Sequence, residues 1–271
     1  MRRIVMVGDG GHGKGVREII ELTADMRLAA VLDDQYAACA GSGPDGVWRG
    51  PIGAWRELLA QDADLRFVVA IGDNRTRHRI AGMLESGGAR FVSLVHPSAV
   101  ISPRAKIGRG AVVMERVVVK SDAEVGAHAI LNSGAIIGHD CAVGGCTHAA
   151  PGSILTGGVR TGEGAFIGAG GVVIPGRTIG AWSTVGAGAV VTRDVPAGCL
   201  AAGVPAVIKR TAAENAAAAS AAAEAAGAGR AAAEIAAAGR AAEEEAAKTP
   251  AAERAVDAAS PAESGQGRGS A

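Results

Sequence analysis

The chain has 271 residues, 20% of them charged and only 3% aromatic, with 41 glycines and a formal net charge of zero. A neutral chain of this kind carries no electrostatic footprint for nucleic acid or an anionic membrane surface, and no stretch reaches the roughly 18 to 20 apolar residues that cross a bilayer. The four cysteines show no disulfide spacing and the apolar run in MRRIVMVGDGG is too short for a signal peptide, so a soluble, reducing, cytoplasmic setting is expected.

Residues 1–97 alternate strands and helices. IVMVG (Ile4 to Gly8) is a β run entering a glycine-rich turn, and GVREIIELTA (Gly15 to Ala24) has helical spacing. LAAVLDD (Leu28 to Asp34) is a second strand ending in paired carboxylates, IGAWRELLA (Ile52 to Ala60) a helix, and RFVVAIGDN (Arg66 to Asn74) a third strand. RTRHRIAGMLESG (Arg75 to Gly87) is a helix capped by Gly87 and Gly88, and FVSLVHP (Phe91 to Pro97) a fourth strand. The alternation implies a small parallel α/β sheet of the nucleotide-binding, Rossmann-like type.

Residues 98–210 are dominated by sixteen consecutive six-residue units from Val100 to Val195, such as KIGRGA (Lys106 to Ala111) and FIGAGG (Phe166 to Gly171). The second place is aliphatic in fourteen of the sixteen, Ala149 and Thr161 being the exceptions; the third is often Gly and the fifth small. A period of six fits neither an amphipathic helix nor an alternating strand, and it implies a parallel β-helix in which three units make one coil. GVPA (Gly203 to Ala206) and IKR (Ile208 to Arg210) form an exit segment. In residues 211–271 alanine supplies 29 of 61 positions. Such a segment has local helix propensity but no apolar stripe to dock, so a low-complexity tail, helical or disordered, is expected there.

Two clusters could carry chemistry. His139 and Asp140 in IIGHDC fall at a corner between β-helix faces, where an imidazole beside a carboxylate can serve as a general base; a surface histidine beside a surface aspartate is the competing reading. His139, Cys141, Cys146 and His148 are four possible metal ligands within ten residues. Their spacing lacks the tight pairs of zinc sites, and Cys141 is assigned to the small, inward-facing fifth place as an apolar filler, so no metal is expected. In GDGGHGK, Gly8, Gly10 and Gly13 satisfy G-x-G-x-x-G, with Asp33 and Asp34 ending the next strand at the distance of a ribose contact. That loop suits a nucleotide or nucleotide-sugar, its glycines admitting phosphate near a helix N-terminus.

Seven motifs in order, GDGGHGK, LDD, AIGDNRTR, HPSA, IGHDC, THAAPG and AGVPA, resemble the sugar-nucleotide acyltransferases of the sialic acid and bacillosamine O/N-acetyltransferase family across residues 3–210. The resemblance implies a left-handed β-helix and a homotrimer with acetyl-CoA between adjacent β-helices, acting on an amino or hydroxyl group of a nucleotide-linked sugar. It makes His139 the base and Asp140 the group that raises its basicity. His148 would meet the acetyl end of the CoA, and Ala169 and Ala187 its pantetheine arm. Gly10, Gly11, His12, Asp33, Asp34 and Gly72 would hold the acceptor nucleotide, and Asn132 would orient the acceptor. Two positions depart from the family: Asp140 is shorter than the usual Glu, and Asp9 places a carboxylate near the expected phosphates. Serine O-acetylation, an NAD-binding oxidoreductase with a β-helical oligomerisation module, and a β-helical scaffold or carbonic-anhydrase-like protein are the alternative functions.

Overall fold

In the computed structural model, residues 1–37, 40–214 and 217 are described; Cys39 and most of the expected 211–271 tail lie outside them. The chain opens with β1 (Arg2–Val7), α1 (Gly11–Leu22), β2 (Met26–Leu32), β3 (Gly41–Ser42), β4 (Trp48–Gly50), α2 (Trp55–Gln61), β5 (Arg66–Val69) and α3 (Asn74–Ser86). The sheet order is β3-β4-β2-β1-β5, all parallel except the β3–β4 hairpin. Strand alternation sends Ile4, Met6, Val31 and Val68 to one side, against Val16, Ile19 and Ile20 of α1. Val5, Val7, Leu32, Phe67 and Val69 go to the other side, against Trp55, Ile80 and Leu84. Both faces are covered, which is why the central strands are continuously apolar.

Two expectations need correction here. The helix expected from Gly15 begins at Gly11, because the glycine loop itself winds into the first turn: a Cβ on Gly13 would lie 2.7 Å from the Gly8 carbonyl oxygen. Phe91–Pro97 is not a fourth strand of the α/β sheet. A single bridge ties Phe91 to Phe67, whereas Leu94–Val95 pairs with Val112–Val113 and so starts the β-helix.

Each of the sixteen units supplies one two-residue strand, and strands 18 residues apart stack in parallel on three faces. Face 1 includes Ile130–Leu131, His148–Ala149 and Phe166–Ile167; face 2 includes Val118–Val119, Ile136–Ile137 and Ile154–Leu155; face 3 includes Glu124–Val125 and Ala142–Val143. The second-place residues Val113, Leu131, Ile137, Leu155 and Ile167 form a fully buried column. The inward small place is the sixth rather than the fifth. Ala111, Ala129, Ala135 and Cys141 fill it, while the fifth place takes the left-handed turn, as at Gly110, His128, Gly134, Asp140 and Cys146. A corner that reverses direction in so few residues needs positive φ, which glycine tolerates best and Asp more readily than branched residues.

The α/β region docks on face 1 and on the corner between faces 3 and 1. Val112 and Met114 share a core with α1, and Asn74 Nδ2 donates to the carbonyls of Gly164 (3.0 Å) and Ala165 (3.1 Å). No described helix is long and apolar enough to cross a membrane.

Third-place and fifth-place glycines answer to different constraints. A Cβ on Gly144 would stand 2.6 Å from the Gly162 carbonyl carbon of the next coil, whereas one on the left-handed Gly170 meets nothing within 4 Å. Gly144→Ala should therefore destabilise by about 1–3 kcal/mol, and Gly170→Asn by no more than about 0.5 kcal/mol, as read from urea midpoints; equal shifts would contradict this packing.

Candidate active site

His139 and Asp140 occupy the corner between faces 2 and 3, opposite face 1. The left-handed turn at Asp140 (φ 58°) swings its carboxylate back along the chain, so Asp140 Oδ2 lies 2.7 Å from His139 Nδ1. An aspartate thus reaches the imidazole despite being shorter than glutamate. With the carboxylate accepting from Nδ1–H, the tautomer leaves Nε2 bare as a proton acceptor. The ring lies over Gly157 of the next coil, where a Cβ would come within 2.4 Å of Nε2, and both side chains of the pair are well exposed.

The second centre is a pocket of about 380 Å³ lined by residues of the α/β region, including Gly10, Gly11, His12, Asp33, Asp34 and Gly72. The six expected acceptor residues therefore come together. Thr76 and Arg79 from α3 also line it and were missed, because a lone cation on a helix gives no sequence signal. Asp33 anchors the loop, its carboxylate accepting from the backbone N–H of Asp9 (2.8 Å) and Gln35 (3.1 Å), while Asp34 accepts from Ile52 N–H (3.0 Å). The carboxylate of Asp9 faces elsewhere: it accepts from Arg17 Nη2 at 2.9 Å and from the Tyr36 hydroxyl at 2.5 Å. Its charge is thereby compensated by a cation beside it, and the hydrogen bond with Asp9 pushes the Tyr36 hydroxyl upward in pKa.

Where this pocket meets the β-helix, His12 faces His148 and Asn132. His148 is on face 1, its ring edge-on to Phe166 at 5.2 Å and 6.4 Å from the ring of His12. Its Nδ1 is 3.3 Å from the Gly72 carbonyl oxygen and its Nε2 3.2 Å from Asn132 Nδ2. Asn132 lies at the corner between faces 1 and 2. Ala169 and Ala187, one coil apart, share that corner, with open space beside Gly134, Gly152, Gly170 and Gly188 along it. The four possible metal ligands do not converge: His139 is on the opposite corner, Cys141 donates to the Thr156 carbonyl at 3.0 Å from inside the coil, and Cys146 is buried on the corner between faces 3 and 1. Among the described residues, no group of three or more His, Cys, Asp or Glu could hold a metal ion.

Burial holds His12 and His148 neutral, pushing each pKa from 6.5 down to about 4, with the Arg77 cation adding to both and His148 to His12. Between these values the unfolded chain binds protons that the folded chain refuses, so stability is full above about 6.5 and is lost as pH falls toward about 4. Thermal melts across that range should show Tm falling with pH, less steeply in His148→Gln; an identical slope would contradict the burial of a neutral ring.

The fold has counterparts among known proteins. Residues 3–84 match the PglD N-terminal domain. The perosamine N-acetyltransferase PerB of Caulobacter crescentus, in complex with CoA and GDP-perosamine, is 43% identical with a TM-score of 0.71, the match covering 77% of this chain and 98% of PerB. The acetyltransferase domain of PglB from Neisseria gonorrhoeae, in complex with acetyl coenzyme A, is 34% identical with a TM-score of 0.69, covering 76% of this chain and 98% of that domain. A UDP-N-acetylbacillosamine N-acetyltransferase of Bacillus subtilis is 44% identical over 114 residues, 42% of this chain and about half (52%) of the relative's length. Given likeness at this identity across nearly all of PerB, the chain belongs to the PglD-type sugar N-acetyltransferase family of hexapeptide-repeat acyltransferases.

Proposed function

We propose that the chain transfers an acetyl group from acetyl-CoA to the amino group of a nucleotide-linked sugar. The observation that carries this reading is the exposed His139–Asp140 pair, with Nε2 free, on a β-helix joined to a nucleotide-sized pocket. PerB, which shares the fold at 43% identity, holds CoA and GDP-perosamine, and it has also been solved with a histidine replaced by Asn or Ala. In the reaction, His139 Nε2 accepts a proton from the acceptor amine as its nitrogen bonds to the thioester carbonyl carbon. The carbon–sulfur bond then breaks, and the departing thiolate recovers the proton from the imidazolium. Asp140 keeps the imidazole in the accepting tautomer and offsets the charge it gains.

The pocket glycines and Gly72 receive the acceptor's nucleotide, with His12 and Asn132 placing the sugar. The open corner beside Ala169 and Ala187 receives the pantetheine arm of the donor, and His148 stands at the acetyl end. Within one protomer His139 is on the corner opposite the face that carries the pocket, so the site is completed by a second copy, in a homotrimer. A nucleotide pocket leaves the serine-acetylating alternative without a favouring observation, and the likeness to sugar N-acetyltransferases disfavours the oxidoreductase.

His139→Ala should lower kcat by about 10² to 10⁴ with acetyl-CoA and a panel of GDP- and UDP-linked amino sugars; wild-type turnover in the variant would sink the assignment. Co-assembling His139→Ala chains with Gly10→Leu chains should recover turnover that neither homo-oligomer has. Failure to recover it in mixed oligomers would place both halves of the site on one protomer.

A further inference from the structure

Arg77, in the first turn of α3, is 1% exposed, and none of its five hydrogen-bond acceptors is a carboxylate. Nε donates to the His128 carbonyl (2.8 Å). Nη1 donates to the carbonyls of Ile71 (2.9 Å) and Gly72 (3.0 Å), and Nη2 to Asn74 Oδ1 (2.7 Å) and the Cys146 carbonyl (2.7 Å). All five N–H groups of the guanidinium are thus used. His128 and Cys146 are the left-handed residues of corners one coil apart, where the ladder between coils runs through the carbonyls of their neighbours Arg109, Ala127 and Gly145. Arg77 therefore ties two rigid turns of the β-helix to the loop that lines the nucleotide pocket.

The Gly72 carbonyl lies between two donors, Arg77 Nη1 and His148 Nδ1. The tautomer of His148 follows from its other neighbour. Asn132 Oδ1 accepts from the backbone N–H of Ser133 (2.8 Å), which fixes the amide so that Nδ2–H points at His148 Nε2. Nε2 must then be the bare nitrogen and Nδ1 the protonated one, donating to Gly72. Ser133, at the far end of this chain of bonds, belongs to the corner that carries Ala169 and Ala187.

We propose that Arg77 is a positioning residue for acetyl transfer, setting the place of the Gly72 carbonyl, which together with Asn132 holds the tautomer and orientation of His148 between the acceptor pocket and the donor corner. This rests on the acetyltransferase reading above. A lysine cannot replace the guanidinium, because three donors radiating from one nitrogen do not span acceptors on two corners and a loop.

The test is Arg77→Lys, compared with wild type in steady-state kinetics and in ¹⁵N imidazole spectra of the full chain. The expected result is a fall in kcat of about 10²-fold with the KM for acetyl-CoA unchanged. The His148 signal should move from a pure Nδ1–H tautomer to a mixture. Asn132→Asp, which turns the donor facing Nε2 into an acceptor, should shift the same signal without touching Arg77. A folded Arg77→Lys chain with wild-type kcat and a wild-type His148 spectrum overturns the proposal, as does an Nε2–H tautomer in the wild type, which decides the matter even if the lysine variant does not fold. Absence of acetyl transfer by the wild type to any amino sugar would overturn the acetyltransferase reading instead. The His148 spectra and the GDP and UDP dissociation constants of the two proteins would then still test Arg77, an unchanged pair refuting it.

Discussion

The hydrogen-bonded ladder between coils, each strand pairing with one 18 residues away, is the constraint on which everything else in this chain depends. It fixes three places in most units. The second is an aliphatic side chain pointing inward, the sixth a small or valine side chain, and the fifth a residue that tolerates positive φ. It also makes the third-place glycines obligatory, since their neighbours in the next coil are backbone atoms that cannot move aside. Each coil buries what its neighbour would expose, so stability grows by repetition and the few aromatic residues cost the core nothing.

A scaffold of this rigidity leaves chemistry to its corners. His139 and Asp140 meet because the corner conformation brings adjacent residues into contact, a geometry that a strand would forbid by sending them to opposite faces. The α/β region brings its own pocket, closed off from its would-be intruder Asp9 by Arg17 and Tyr36. Joining the two parts is a seam of backbone carbonyls capped by Asn74 and Arg77, with an apolar patch of Val112 and Met114 beside it. A buried cation satisfied by carbonyl dipoles alone is costly to desolvate, and burial pulls the Arg77 pKa down to about 10. The seam keeps it because no apolar side chain could hold those corners and the pocket loop in one geometry.

Much of this was legible in the residues. The unbroken period placed sixteen strands correctly and put His139 on a corner, and the glycine motif with Asp33 and Asp34 found about half of the pocket lining. The errors have physical causes. Phe91–Pro97 has strand composition, and nothing local says which of two sheets a strand will join. Cys141 was placed one position early in its unit, because small residues crowd both the turn and the interior. Arg77 in the midst of RTRHR gave no signal, since its partners include main-chain carbonyls 51 and 69 residues away.

The sequence by itself determined the two-part architecture and the repeat, because periodicity and turn chemistry are local properties that a chain carries in its residue order. Only the tertiary structure decided which carbonyls meet Arg77, which nitrogen of His148 bears its proton and which way Asp9 faces. It also decided that the corner bearing His139 stands opposite the face bearing the pocket. Those outcomes depend on contacts between separate segments of the chain, and the ones that hold Arg77 end mostly on peptide groups, which have no letter in a sequence.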